Sequence, residues 1–157
     1  MTTATNLRRW MTAAVAVLAM TSAVAAPPSK ATPGKTIFKD VKTQTQEFMG
    51  YVDMSLAPEQ QKIKDDVLSA IPTVCCKKFS MKTCCCPCNM AMTIWGLSNY
   101  MLVVKGADAA QLETAVLDWV KFIGPTGYTG DACFTGGCGR PFAKNGCGGM
   151  DHKNVIF

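Results

Sequence analysis

Apolar positions recur at helical spacing in three stretches of this chain. Between Pro58 and Ile71, Ile63, Val67 and Ala70 mark one stripe, widened by Leu68 and Ile71. Pro58 suits a first helical position, Glu59 sits beside the positive end of the dipole, and Pro72 ends the segment. From Pro87 to Lys105, Met90, Ile94, Leu97 and Met101 share a face. There Pro87 is placed at the first helical position, Cys86 before it is extended, and Gly106 is the stop. Asp108 and Gln111 form a capping box for a third helix ending at Ile123, with Leu112, Ala115, Val116, Trp119 and Ile123 on its apolar face and Gly124-Pro125 behind it. The pattern predicts a mainly α fold of about three helices, the last two being antiparallel neighbours across a short link.

The flanks are less regular. Thr36 to Val41 fits a short strand and Glu47 to Asp53 a helix, so neither is chosen. With Pro27, Pro28, Pro33 and Gly34 ahead of it, segment 26–55 reads as a flexible or poorly defined lead to a cysteine-rich helical domain over 56–157. From Gly124 onward, glycines at 124, 127, 130, 136, 137, 139, 146, 148 and 149 preclude long regular structure. Ordering such a tail costs much conformational entropy, and sulfur links are the only strong compensation this sequence offers. The tail is therefore expected to lie against the cysteines upstream.

Residues 1–25 read as a signal peptide. Arg8 and Arg9 give a positive start, Met11 to Met20 an apolar run too short to span a bilayer, and Ala23-Val24-Ala25 a small-residue cleavage site. The arginine pair leaves Sec and twin-arginine export both open. Removing Arg8 and Arg9 from 16 basic residues leaves 14 against 11 acidic ones, a balance of +3. That balance, without a basic stripe, excludes nucleic acid as the expected partner. The expected location is periplasmic or secreted, with no transmembrane segment in the mature chain, and any protein partner is unidentified.

Composition changes the picture through cysteine. Six of nine fall at positions 75, 76, 84, 85, 86 and 88, and Cys133, Cys138 and Cys147 follow in the tail. Adjacent Cα atoms lie about 3.8 Å apart, below the roughly 4.4–6.8 Å a disulfide usually needs. Neighbouring cysteines are thus poor partners for one another, and an odd count leaves one over. Crowded, partly unpairable thiols point to soft-metal binding or thiol exchange. In an extended run Cys84 and Cys86 would face one way and Cys85 the other, while Cys88 would enter a helix start whose free N–H groups favour a thiolate. The candidate metal ligands are Cys84, Cys86 and Cys88, completed by Cys133, Cys138 or Cys147. Softness favours copper as Cu(I), with zinc the alternative, although paired zinc knuckles are irregular here. Met90 and Met92, near Cys88, are further sulfur candidates; otherwise the methionine stripe reads as core.

Other chemistry is weaker. Cys85-Cys86-Pro87-Cys88 looks like the redox motif of thioredoxin-like oxidoreductases, but the polar stretch Lys77–Thr83 is not the strand that fold places before it. Lys77, Lys78 and Lys82 read as solvated, His152 as surface, and Asp131 and Asp151 as turn residues. Cys84-x-Cys86-x-Cys88, Asp131-Ala132-Cys133-Phe134 and Gly146-Cys147-Gly148 together resemble small exported bacterial cysteine-rich proteins with a Pro-Cys-Tyr-Cys-Gly-Cys motif. The resemblance implies an exported cysteine-rich domain and carries no activity. The sequence thus points to an exported soft-metal-binding protein that holds or delivers metal, with an enzyme the less favoured reading. A disulfide-stapled structural domain and a thiol–disulfide oxidoreductase remain as alternatives.

Overall fold

A computed structural model describes residues 36–157. Segment 1–25, read above as a signal peptide, and the start of the expected lead lie outside the described residues. Within them the protein is mainly helical. Four helices, α1 (Val41–Met49), α2 (Pro58–Ala70), α3 (Asn89–Val103) and α4 (Ala109–Ile123), are followed by two 3₁₀ turns, Gly137–Gly139 and Phe142–Lys144. No strand occurs among the described residues, and no helix there is long and apolar enough to cross a membrane.

Helix α3 is the centre, packing against α1, α2 and α4. Ile94 and Leu97 are fully buried, and so are the polar Thr93 and Ser98. A helix covered all round must satisfy such groups internally. Ser98 donates to the Ile94 carbonyl and Thr93 to that of Met90, while the Trp119 indole of α4 donates to Thr93 Oγ1. Asn99 Nδ2 donates to the Tyr51 and Val52 carbonyls, and its Oδ1 accepts from Lys64 of α2, tying three segments together.

Two boundaries match the sequence reading closely. Pro58 opens α2. Asp108 accepts from the Gln111 N–H at 3.0 Å, and Gln111 Oε1 accepts from the Asp108 N–H at 3.1 Å, which is the expected capping box of α4.

Helix α1 departs from the expected lead, and no strand forms at Thr36–Val41. Asp40 caps the helix by accepting from the Thr43 N–H at 2.7 Å. Its sequence is polar, and only Thr45 and Phe48 are buried, so it carries no stripe to read. Phe48 packs edge-on to Trp119 at 5.0 Å between ring centres, and Phe38 does the same at 5.0 Å. Gly96 lets α1 come this close. A Cβ built there would lie 1.7 Å from the Phe48 carbonyl oxygen.

The start of α3 also differs. Pro87 was expected as its first residue, but Cys88 is the N-cap and Asn89 opens the helix. The glycine-rich tail supplies the reason. The N–H of Asn89 donates to the Gly149 carbonyl at 3.0 Å and that of Met90 to the Cys147 carbonyl at 3.1 Å. Buried Asn89 adds bonds from Nδ2 to the carbonyls of Gly148 (2.7 Å) and Asp151 (3.0 Å). The tail therefore satisfies donors that a helix start otherwise leaves free. Gly148, at φ +75°, turns the chain there, and a Cβ on it would meet the Phe142 ring.

Candidate functional site: a ring of eight thiols

Three segments meet at this end of α3. Segment 71–83 folds into a tight loop, with Thr73 N–H donating to the Phe79 carbonyl and Met81 N–H to that of Ile71, both at 2.8 Å. Cys75 lies in this loop, and its carbonyl accepts from the Cys133 N–H at 3.1 Å, which docks the tail. Segment 84–88 leads into α3, and Arg140 clamps the tail's own turn by donating to the carbonyls of Thr135 and Asn145.

The sulfurs follow from this backbone frame. Thiol interactions run from Cys75 to Cys84, from Cys84 to Cys88 and from Cys88 to Cys147. They continue from Cys147 to Cys138 and from Cys138 to Cys86. Cys86 and Cys85 have their Sγ atoms 3.8 Å apart, as do Cys85 and Cys133. Cys133 returns to Cys75. Eight cysteines thus form a closed ring, with two sulfur neighbours each, and buried Cys76 stands outside it. The arc of Cys75, Cys88 and Cys147 is buried, Cys84, Cys86, Cys133 and Cys138 are half-buried, and Cys85 is exposed.

All six candidate ligands, Cys84, Cys86, Cys88, Cys133, Cys138 and Cys147, lie in this ring, together with two cysteines the sequence did not favour, Cys75 and Cys85. The expected alternation fails locally. Cys84 turns inward to Cys75 and Cys88, whereas Cys86 sits beside Cys85 rather than opposite it. Cys85 and Cys88, the ends of the C-x-P-C segment, belong to different arcs and each faces other partners. Adjacency to Cys76 hid Cys75, and only the pairing of loop 71–83 with the tail distinguishes the two.

Protons are shared unequally around the ring. Hydrogen bonding from the Cys75 and Cys88 thiols, with help from the N–H groups of Cys86 and Cys85, holds Cys84 down at about 3. Cys88 and then the Gly149 N–H lower Cys147 to about 6, against the effect of burial. Both are thiolates near neutral pH. Cys88 itself is pushed up, because it donates to Cys147 and Cys84. The helix start was expected to make Cys88 the thiolate, and the Ala91 N–H does favour it, but hydrogen bonding to Cys147 and Cys84 and burial outweigh that, and the charge resides on Cys88's two neighbours instead. Burial raises Cys86 to about 12 and Cys133 to about 11.

The remaining candidates are elsewhere. Lys82 pairs with Asp65 at 3.0 Å, Lys78 lies over the Phe134 ring, and the Lys77 stem lies against Gly130. His152 Nε2 is 3.1 Å from the Pro87 carbonyl and exposed. Asp131 and Asp151 accept bonds within their own turns, from Thr129 and from Lys153 and Asn154.

Among the described residues, no three Cys, His, Asp or Glu side chains are already assembled as a metal-holding group. The donor set nonetheless fits a soft ion. Two sulfurs each about 2.3 Å from a tetrahedral ion lie about 3.8 Å apart, and that is the spacing of Cys85 to Cys86 and to Cys133. Tyr128 adds a buried hydroxyl with no partner, whose pKa is raised first by burial and then by the neighbouring cysteines, among them the Cys147 thiolate. A neutral phenol in that position is a donor available to a thiolate.

No family model, curated protein or solved structure matches the chain.

Proposed function

We propose that the protein is an exported soft-metal-binding protein that holds or delivers Cu(I) through its ring of eight thiols. The observation carrying this reading is the ring itself, in which every sulfur has two sulfur neighbours. Each thiolate there can bridge two ions, and a sulfur-only donor set selects Cu(I) over harder ions. Zinc takes the same thiolates but wants four per ion in a closed tetrahedron. The test is titration of the reduced full chain, without oxygen, with Cu(I) and separately with Zn²⁺. More than one Cu(I) per chain, with retention beyond that of a variant carrying serine at Cys84, Cys86 and Cys88, is the expected result. Equal binding by the two proteins overturns the reading.

One observation favours a second reading, a disulfide-stapled structural domain. The ring can be divided into Cys75–Cys84, Cys88–Cys147, Cys86–Cys138 and Cys85–Cys133. That division uses no adjacent pair and joins the loop, the run and the tail. Intact mass of the purified protein, native and denatured, separates the two: bound metal with reduced thiols supports the first, and eight oxidised cysteines without metal support the second.

A further inference from the structure

The inner arc of the ring backs onto a small cavity. Its volume is ≈ 10 Å³, and its walls include Cys75, Cys84, Cys88, Met81 and Met90. That is roughly the least space a water can occupy, and a buried water also needs about two to four polar partners. The one hydroxyl in the wall, on Thr73, donates instead to the Cys76 carbonyl. Ala91 and Ile94 close the remainder with hydrocarbon. Three cysteines and two methionines therefore line a space that suits water poorly.

Neither methionine is there by loose fit. Met81 follows Ser80 and precedes Lys82 and Thr83 in a polar loop, yet it is 4% exposed. Its N–H donates to the Ile71 carbonyl, and its own carbonyl accepts from the Trp95 indole at 2.9 Å. Met90 is 2% exposed, and its N–H is held by the Cys147 carbonyl. The backbone thus holds both methionines at the cavity wall, one on each side in sequence of the run Cys84–Cys88.

We propose that this cavity is a distinct, buried Cu(I) site, in which two thiolates from Cys75, Cys84 and Cys88 and the thioethers of Met81 and Met90 hold a single ion more tightly than the outer arc of the ring does. The proposal rests on the Cu(I)-binding reading and adds ligands and a hierarchy to it. Thioether and thiolate donors together select Cu(I). On loading, Cu⁺ joins the Cys84 thiolate and one further thiol, Cys75 or Cys88, whose single proton leaves to solvent; nothing is oxidised or reduced. Each further thiolate would add a negative charge to a buried centre, and buried charge is costly. A thioether adds a sulfur ligand with no charge, which is the reason to find methionine rather than a fourth cysteine at this end. The exposed end, around Cys85 and Cys133, is then where ions enter and leave.

The test is stepwise Cu(I) loading of the reduced full chain against a competing Cu(I) chelator, comparing wild type with the double variant M81L/M90L. Leucine conserves the volume of methionine and removes the sulfur. The first equivalent should be held roughly 10–100-fold less tightly in the variant, at least the range that outer-shell partners of a metal ligand are worth, while total uptake stays the same. A first equivalent held equally by both proteins overturns the inner site and leaves the parent reading standing. A wild type that takes up no Cu(I) sinks both. If the variant does not fold, selenomethionine-labelled wild type given one equivalent of Cu(I) decides the matter: a copper–selenium scattering path supports the site, and its absence overturns it.

Discussion

The sulfurs of Cys85 and Cys133 lie 3.8 Å apart although 48 positions separate the two residues in the chain. Cys85 is exposed and Cys133 half-exposed, so this contact is the accessible edge of the ring. A small approach converts it to a bond, and solvent can deliver an oxidant. Mild oxidation of the reduced protein should therefore link Cys85 to Cys133 before any pair on the buried arc. Peptide mapping by mass spectrometry at partial oxidation reads this directly, and prior loading with Cu(I) should suppress the link. A first link formed between Cys88 and Cys147 would contradict the assigned accessibility.

Acid should discharge the ring in a defined order. Cys147 is lowered to about 6 by the Cys88 thiol and the Gly149 N–H, and Cys84 lies lower still. A thiol whose folded pKa lies below its unfolded value adds stability that is complete above the unfolded value, near 8.5, and is lost as pH falls through the folded one. For Cys147 the window runs downward from the ordinary thiol range to about 6. The reduced, metal-free protein should lose thiolate ultraviolet absorbance and stability together on passing from pH 8 to pH 5. Cys147→Ser should remove that step and leave the signal of Cys84.

Substituting Gly96 should destabilise the protein despite its position inside a helix. Alanine in place of a mid-helix glycine normally gains about 1 kcal/mol. Here the new methyl would lie 1.7 Å from the Phe48 carbonyl oxygen, so α1 must move away. Overpacking of this kind typically costs about 1–3 kcal/mol. Gly96→Ala should lower the thermal midpoint and expose the Trp119 neighbourhood, visible as a shift in tryptophan fluorescence. An unchanged or higher midpoint would show that α1 does not seat on Gly96.

Gly96 and Phe48 also show where the sequence was readable. The stripes of α3 and α4 were legible because each buries a long apolar face; α2 was legible from its bounding Pro58 and Pro72, although only Val67 and Leu68 of it are buried and Ala70 of its expected stripe is exposed. Helix α1 was not, because it buries only Thr45 and Phe48 and is held by its cap and by a glycine on another helix. At the site, the return of the tail to the cysteine run was legible from glycine content and leftover thiols. The charge on Cys84 and Cys147 was not, since it depends on which thiols the folded tail and loop bring beside them. Met81 was hidden in a polar loop, where only tertiary burial marks it, and Met92, four residues beyond Cys88, is not among the cavity's walls.

Asn89 should prove the hinge between fold and site. It is fully buried, and Nδ2 donates to the carbonyls of both Gly148 and Asp151, beside Cys147. Asn89→Leu removes both bonds, while the Gly148 and Asp151 carbonyls keep the N–H donors of Ile156 and Asn154, so the loss is about 0.5–1.5 kcal/mol per bond. Hydrogen exchange should rise in the tail around Cys147 while the centre of α3 stays protected. Uniform loss of protection would indicate a general core defect instead.

Cys75 and Cys76 provide the sharpest contrast in the chain. They are adjacent, both buried, and indistinguishable in sequence. Cys75 contacts Cys84 and Cys133 in the ring and lines the inner cavity, whereas Cys76 does neither and its carbonyl accepts from the Thr73 hydroxyl. The sequence alone suggested that both matter less than Cys84, Cys86 and Cys88. With the ring assigned, their serine variants should separate. Cys75→Ser opens the ring between Cys84 and Cys133, so it should lower Cu(I) uptake by the reduced chain and weaken the first equivalent. Cys76→Ser removes a buried thiol from a small satellite core with Ala132, so it should reduce stability modestly and leave metal stoichiometry unchanged. Parallel metal titration and thermal melts on the two variants check this. Equal effects on uptake would mean that the ring is not the metal-holding unit, because its closure depends on Cys75 and not on its neighbour.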